Sequence, residues 1–206
     1  WTLPGLSGDQ ASDWTRCCAR LYNGGWQSSA LAIKLFDGSP RLLETLSLSE
    51  LDLLGDVLEH LGALSYPLAL SCLDTALEML SRLQQGEQEG VIRTAQALAT
   101  RNPRYVREWW TEAPDLLRPL TPSCRAGFLR LARAIAAEYP DPKAALDALR
   151  GGSAALGELN PVAQRQAVEH AEGRAAASPE GATAFLLSAG RLLDGQEWNQ
   201  YPEVAG

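Results

Sequence analysis

The apolar residues of this chain recur at the spacing of helix faces. Two segments show apolar residues every three or four positions, which is the period of an amphipathic helix. Their stripes are Leu51, Leu54, Val57, Leu58, Leu61 and Leu64, and Phe128, Leu131, Ala132, Ile135 and Ala136. Alternating runs of β-branched residues, which are typical of strands, are absent. The pattern therefore predicts an all-α fold.

The helical segments also repeat along the chain. Equivalent leucines follow one another at intervals of 37, 37, 39 and 37 residues, and self-similarity at such a period is typical of repeat proteins. These anchor leucines are Leu43, Leu80, Leu117, Leu156 and Leu193. We predict one α-helical repeat domain over residues 1–193, with 194–206 as a tail or linker. It consists of a partial repeat at 1–28 and repeats that start near 29, 68, 103, 142 and 180.

Helix-start signals divide each repeat into two helices. Thr121-Pro122 and Asn160-Pro161 read as an N-cap residue followed by proline at the first helical position, where a missing N–H costs nothing. Ser47-Leu-Ser-Glu50 has the form of a capping box. These signals predict that the second helix of a repeat begins at each of these places.

The first helix of a repeat contains residues that disfavour helix. Pro40 and Pro114 occupy equivalent places, and Gly151-Gly152 lies nearby in the fourth copy. An interior proline removes a hydrogen bond and clashes with the preceding turn, so we expect a kink or break in these helices. A kinked first helix followed by a straighter one resembles HEAT and armadillo repeats. We therefore predict HEAT/armadillo-like helical hairpins that form a short right-handed solenoid.

The predicted partial repeat at residues 1–28 carries much apolar surface for an exposed end. Its large or apolar residues include Trp1, Trp14, Cys17, Cys18, Leu21 and Trp26. Either these side chains pack inward on the next repeat, or they contact a part of the parent protein that lies outside this chain. The start at Trp1, without Met, favours a chain cut from a longer polypeptide.

Composition excludes several classes of protein. A chain of 206 residues that is 46% hydrophobic can bury a core without metal or disulfide support. No run approaches the roughly 20 apolar residues of a membrane span, and no secretory leader is visible. The four cysteines lack zinc-site spacing, and His60 and His170 lie 110 positions apart. We expect a cytoplasmic protein with no metal and no cofactor.

We find no catalytic constellation in the sequence. The nucleophile-elbow, phosphate-loop and H-E-x-x-H patterns are all missing. The pairs Gly24-Gly25 and Gly151-Gly152 are interpreted as turn glycines at helix ends or breaks. The sequence therefore predicts a protein that is not an enzyme.

Charge is unevenly distributed in this acidic chain, whose formal net charge is −7. Between Arg101 and Arg133 there are seven arginines and three carboxylates. Six of these arginines form the candidate protein-docking surface: Arg101, Arg104, Arg107, Arg125, Arg130 and Arg133. The pattern fits solvated helix faces, a docking patch for an acidic partner, or nucleic-acid binding.

Aromatic residues among the arginines bear on the nucleic-acid alternative. Trp109 and Trp110 lie near Tyr105 and superficially resemble a base-stacking platform. Adjacent helical side chains point about 100° apart, so at least one tryptophan should lie in the core. The other, Trp109 or Trp110, is the candidate exposed aromatic residue.

Three phrases carry a family resemblance: Ala97-Leu-Ala-Thr-Arg-Asn-Pro103, Trp109-Trp-Thr-Glu-Ala-Pro-Asp-Leu-Leu117 and Phe128-Leu-Arg-Leu-Ala-Arg133. Residues 29–193 resemble the helical-repeat region of the nitric oxide reductase activation proteins and the related rubisco-activase adaptors. Those proteins carry a C-terminal von Willebrand factor A domain, whose Asp-x-Ser-x-Ser motif is absent here. The resemblance implies an adaptor between a MoxR-type AAA+ ATPase and its target.

The sequence thus predicts a non-enzymatic protein-binding scaffold or adaptor. It would be a fragment of a larger bacterial protein that links an AAA+ ATPase to its target, without membrane contact. The alternative is a HEAT-like nucleic-acid-binding module that uses the basic stripe from Arg101 to Arg133.

Overall fold

The computed structural model describes residues 8–22, 26–43, 45–139, 141–175 and 177–193. Over these residues the chain forms α-helices and one 3-10 turn, Leu80–Arg82, and no strand. The helices are α1 Gly8–Tyr22, α2 Trp26–Leu43, α3 Leu48–Leu64, α4 Tyr66–Met79, α5 Gln88–Arg101, α6 Arg104–Leu117, α7 Pro122–Glu138, α8 Pro142–Gly157, α9 Pro161–Ala175 and α10 Pro179–Leu193. The all-α prediction is confirmed. None of the described helices is long and apolar enough to cross a bilayer. The predicted tail at 194–206 lies outside the described residues.

Helices α3, α7 and α9 begin where the capping signals in the sequence predict. At α3 the hydroxyl of Ser47 accepts from the Glu50 amide at 3.3 Å, and the Glu50 carboxylate accepts from the Ser47 amide at 2.6 Å. At α9 the Asn160 side chain accepts from two amides of the first turn, each at 3.0 Å. Thr121 precedes α7 but forms no side-chain cap, and its own amide donates to Gln164 Oε1 at 2.7 Å. Proline at the first position therefore suffices to start α7.

The sequence predicts a kink or a break in the first helices, and no break occurs in α2, α6 or α8. Helices α2 and α6 run through Pro40 and Pro114 without interruption, as α8 runs through Gly151 and Gly152. Around Pro114 the neighbours Ala113 and Leu117 are buried, so tertiary packing holds the helix despite one missing hydrogen bond. Gly24-Gly25 lies outside the described residues.

Gly151 and Gly152 are interior helix residues, so their interpretation as turn glycines is wrong. A Cβ at residue 152 would lie 3.1 Å from Leu186 Cδ1, and one at residue 151 would overlap Leu187 Cδ2. The glycines therefore allow α8 and α10 to approach closely. This need for space, and not a turn, explains their presence.

The chain divides into two compact units at Thr111 and Glu112, within α6. In the first unit α1 packs on α2 and α3, α2 packs on α4, and α3 packs on α4 and α5. Each pair consists of two helices that are either adjacent or two apart in the order of the chain. The core of this unit includes Trp14, Leu31, Leu35, Leu51, Leu54, Leu58, Leu61, Leu73 and Ile92.

The second unit has the same kind of packing. Helix α7 packs on α9, α8 packs on α10, and α9 packs on α10. Its core includes Phe128, Leu131, Ile135, Leu149, Leu156, Val168 and Leu186. In both units, helices two apart in the chain lie side by side, as they do when helical hairpins stack.

Candidate protein-interaction surfaces

The six arginines of the candidate docking surface lie in two units, three in each. In the first unit Arg101 ends α5, and Arg104 and Arg107 lie one turn apart on α6. All three side chains are exposed. Arg104 and Arg107 form no ion pair with the residues that the structure describes, so their guanidinium groups are available to an anionic partner.

In the second unit, two of the arginines form hydrogen bonds with other residues of the chain. Arg125 Nε donates to the Leu120 carbonyl at 2.9 Å, across the turn between α6 and α7. Arg130 forms a bidentate pair with Glu172, in which Nη2 and Oε2 are 3.0 Å apart, and this hydrogen bonding raises the pKa of Arg130. That pair joins α7 to α9. Arg133 is exposed and has no ion pair within the described part of the chain.

The candidate exposed aromatic residue does not exist, because both tryptophans are buried. Trp109 has 0% and Trp110 has 1% of its surface exposed. Trp109 Nε1 also donates to the Val91 carbonyl of α5 at 2.9 Å. The prediction that one of them is exposed is wrong, because two adjacent faces of α6 are both covered. Neither ring can serve as a stacking platform.

Two further contacts join α6 to α8 through residues that are 37 or 38 positions apart, close to the predicted repeat length. Arg150 of α8 donates to Glu112 of α6 at 2.7 Å and 2.5 Å, and it also pairs with Asp147. Ser153 Oγ donates to the Leu116 carbonyl at 2.6 Å, 37 residues away. These contacts fix the position of α8 along α6.

Reactive side chains are few among the described residues. No group of three or more histidines, cysteines or carboxylates could bind a metal ion within the described ranges. Burial raises the pKa of the Cys72 thiol to about 11, although Arg107 partly opposes the change. The thiol is therefore protonated and unreactive near neutral pH.

An apolar groove lies between α1 and α2 in the first unit. Its volume is about 380 Å³, and its lining is almost entirely apolar. The lining residues are Thr15, Ala19, Tyr22, Ala32, Ile33 and Phe36. Tyr22 and Ile33 are each 56% exposed, which is high for large apolar side chains on neighbouring helices. Sequence motifs do not predict this groove, because the groove depends on which helix faces are left uncovered.

None of the family models, curated proteins or solved structures compared with this chain matches it. The resemblance to the AAA+ adaptor family therefore stays a prediction.

Proposed function

We propose that this chain is a non-enzymatic scaffold of stacked helical hairpins that binds another protein. The observation that carries the proposal is the packing of helices two apart in the chain: α1 on α3, α2 on α4, α7 on α9 and α8 on α10. A hairpin that relies on its neighbours for burial offers its remaining faces to partners. The predicted 37-residue HEAT/armadillo-like arrangement is part of this proposal.

The register of side-chain contacts supports the repeat. Lys34 of α2 pairs with Asp74 of α4 at 2.7 Å, 40 residues away. The Ser153 to Leu116 bond spans 37 residues, and the Arg130 to Glu172 pair spans 42. Contacts at these separations are expected where each hairpin lies on the one before it.

Two kinds of surface support protein binding. Arg104 and Arg107 of the first unit are exposed and suit an acidic partner surface, and so, separately, does Arg133 of the second unit. The groove between α1 and α2, which belongs to the first unit, offers apolar area to a partner. The alternative of nucleic-acid binding has less support, because the two tryptophans that would stack on bases are buried.

The partner proposal follows the family resemblance: a MoxR-type AAA+ ATPase or its target. The test is a pull-down of a purified MoxR-type ATPase, and separately of lysate proteins, on the immobilised chain. Arg104→Glu and Arg107→Glu combined should reduce partner recovery about fivefold or more, because rim charges govern encounter with an acidic surface.

Two arginines outside the candidate surface provide the matched control. Arg82→Glu and Arg165→Glu combined change the net charge in the same direction at exposed positions and should leave most recovery intact. Equal loss in both variants would show a net-charge effect and contradict the docking surface. A duplex mobility shift at low salt that disappears as salt rises would favour the nucleic-acid alternative.

A further inference from the structure

The turn between the two helices of a predicted repeat contains a backbone amide at a constant position. Four residues after the first three anchor leucines stand Ser47, Gln84 and Thr121. The Ser47 amide donates to Glu50 Oε2 at 2.6 Å, and the Gln84 amide donates to Glu87 Oε2 at 2.8 Å. In these two copies the acceptor is therefore a glutamate that lies three residues further along the chain.

In the third copy a cysteine replaces this glutamate. Cys124 holds the register position, and its sulfur, a weak acceptor, accepts from the Thr121 hydroxyl at 3.0 Å. The Thr121 amide donates instead to Gln164 Oε1 at 2.7 Å, across 43 residues. Gln164 belongs to α9, which packs on α7. A side chain of α9 thus supplies the acceptor that a nearby glutamate supplies in the first two copies.

The other end of the Gln164 amide group also bonds to backbone. Its Nε2 donates to the Leu156 carbonyl at 3.0 Å and to the Pro119 carbonyl at 3.3 Å. The side chain is 2% exposed, so breaking these bonds without opening the structure would leave buried polar groups unsatisfied. Gln164 therefore joins the turn between α6 and α7, the end of α8 and the first turn of α9.

Gln88 is the equivalent residue of the second copy, and it forms a different contact. It lies eight residues after its anchor leucine, as Gln164 does, and both side chains are 2% exposed. Its Nε2 donates to the Leu83 carbonyl of its own turn at 3.4 Å, and its Oε1 has no donor among the described residues. In this copy the amide of the turn is already bonded to Glu87. The bond to a distant glutamine thus occurs in the copy that lacks the glutamate.

We propose that Gln164 is a conformational coupling device that makes the turn between α6 and α7 open together with α9. Where a turn has its own acceptor, displacement of the neighbouring helix leaves the amide bonded. Where the acceptor lies on α9, any motion that removes α9 also releases the Thr121 amide and the Pro119 carbonyl. Displacement of the last two helices is thereby transmitted to this turn. The inference goes beyond the proposed scaffold function and requires no partner.

Hydrogen exchange of the Thr121 amide, followed by NMR on the full chain, tests the coupling. Gln164→Met nearly keeps the volume of the side chain and removes its hydrogen bonds. We expect Thr121 exchange to accelerate about tenfold or more, because the amide loses its acceptor. The Leu131 amide, in the middle of α7, measures opening of the helix itself and should change less. Unchanged exchange at Thr121, or equal acceleration at Leu131, would overturn the proposal.

Gln88→Met is the matched control, because it makes the same substitution at the same register position of the second copy. The Gln84 amide, which corresponds to Thr121, should keep its exchange rate within about twofold, because its acceptor is Glu87. If Gln88→Met accelerates Gln84 exchange as much as Gln164→Met accelerates Thr121 exchange, both glutamines act only by filling space, and the coupling is refuted.

A second variant tests the coupling while Gln164 stays in place, so it remains decisive if Gln164→Met does not fold. Phe185→Leu in α10 shortens a buried ring that packs on α9, which loosens the last two helices. We expect exchange at Thr121 and at Ala171 of α9 to accelerate by the same factor, within about twofold, and exchange in α7 to change less. Acceleration at Ala171 with Thr121 unchanged would show that the turn opens independently of α9 and would overturn the proposal.

Discussion

At the scale of single residues, identical neighbours in the sequence have different environments. Trp109 and Trp110 are both buried, but only Trp109 has an acceptor for its indole N–H, the Val91 carbonyl at 2.9 Å. Trp110 Nε1 is buried without an acceptor among the described residues. The sequence indicated that at least one tryptophan is core, because adjacent side chains diverge on a helix. It could not show that both faces of α6 are covered, because that depends on helices distant in the chain.

The two tryptophans provide a matched pair of substitutions. Trp109→Phe removes a hydrogen bond, whereas Trp110→Phe removes an unsatisfied buried donor and leaves a similar small void. A buried hydrogen bond contributes about 1 kcal/mol, and an unsatisfied donor costs about 1–3 kcal/mol. We therefore expect Trp109→Phe to lower the free energy of unfolding by about 2–4 kcal/mol more than Trp110→Phe. Urea denaturation measures both, and a larger loss in Trp110→Phe would contradict the assignment.

At the scale of helices, local signals predicted starts well and interruptions poorly. The capping box at Ser47 and the cap at Asn160 were predictable because they depend on residues within one turn. The helix does not break at Pro114 and does not turn at the glycine pair, because both outcomes depend on packing against other helices. A helix tolerates one lost hydrogen bond where its flanks are buried, and a glycine inside a helix can allow close approach.

The glycine pair of α8 tests this explanation. Glycine to alanine inside a helix adds about 1 kcal/mol of stability when space allows. Leu187, which faces Gly151, is 49% exposed and can change rotamer, whereas buried Leu186 presents its Cβ 3.2 Å from the new methyl at residue 152. We expect Gly151→Ala to be neutral or stabilising and Gly152→Ala to cost about 1–3 kcal/mol by overpacking. Thermal denaturation of both variants decides, and equal effects would argue against close packing at residue 152.

The interface between α9 and α10 carries a pH-sensitive group. The His170 ring lies 4.6 Å from the Phe185 ring, and the Arg174 guanidinium lies 5.5 Å from the same ring. Burial, and secondly the charge of Arg174, lower the pKa of His170. The unfolded chain therefore binds this proton more readily than the folded chain, so the free energy of unfolding falls as the pH drops below the ordinary histidine value of about 6.5.

Urea denaturation between pH 7.5 and pH 5 measures this dependence. We expect His170→Gln to reduce the loss of stability over that range, because it removes the group whose pKa is lowered by burial. Identical pH dependence in the wild-type chain and the His170→Gln variant would show that the histidine does not contribute.

At the scale of the whole molecule, the sequence predicted the helical class, but not which surfaces are open. The arginines formed one stripe in the sequence, yet the structure divides them between two units and assigns Arg125 and Arg130 to internal contacts. The groove could have been anticipated only from the register of the even helices, in which the first copy has no preceding helix among the described residues. The proposed scaffold requires that the hairpins stack in register.

Zero-length carbodiimide cross-linking of the monomer tests that register most directly. The reagent joins a lysine to a carboxylate in contact with it, and the chain has only two lysines, Lys34 and Lys143. We predict that mass spectrometry finds Lys34 joined to Asp74 in preference to any other carboxylate outside α2, and that Asp74→Asn removes this product. Linkage of Lys34 to carboxylates of other helices, with Asp74 unmodified, would contradict the stacked arrangement.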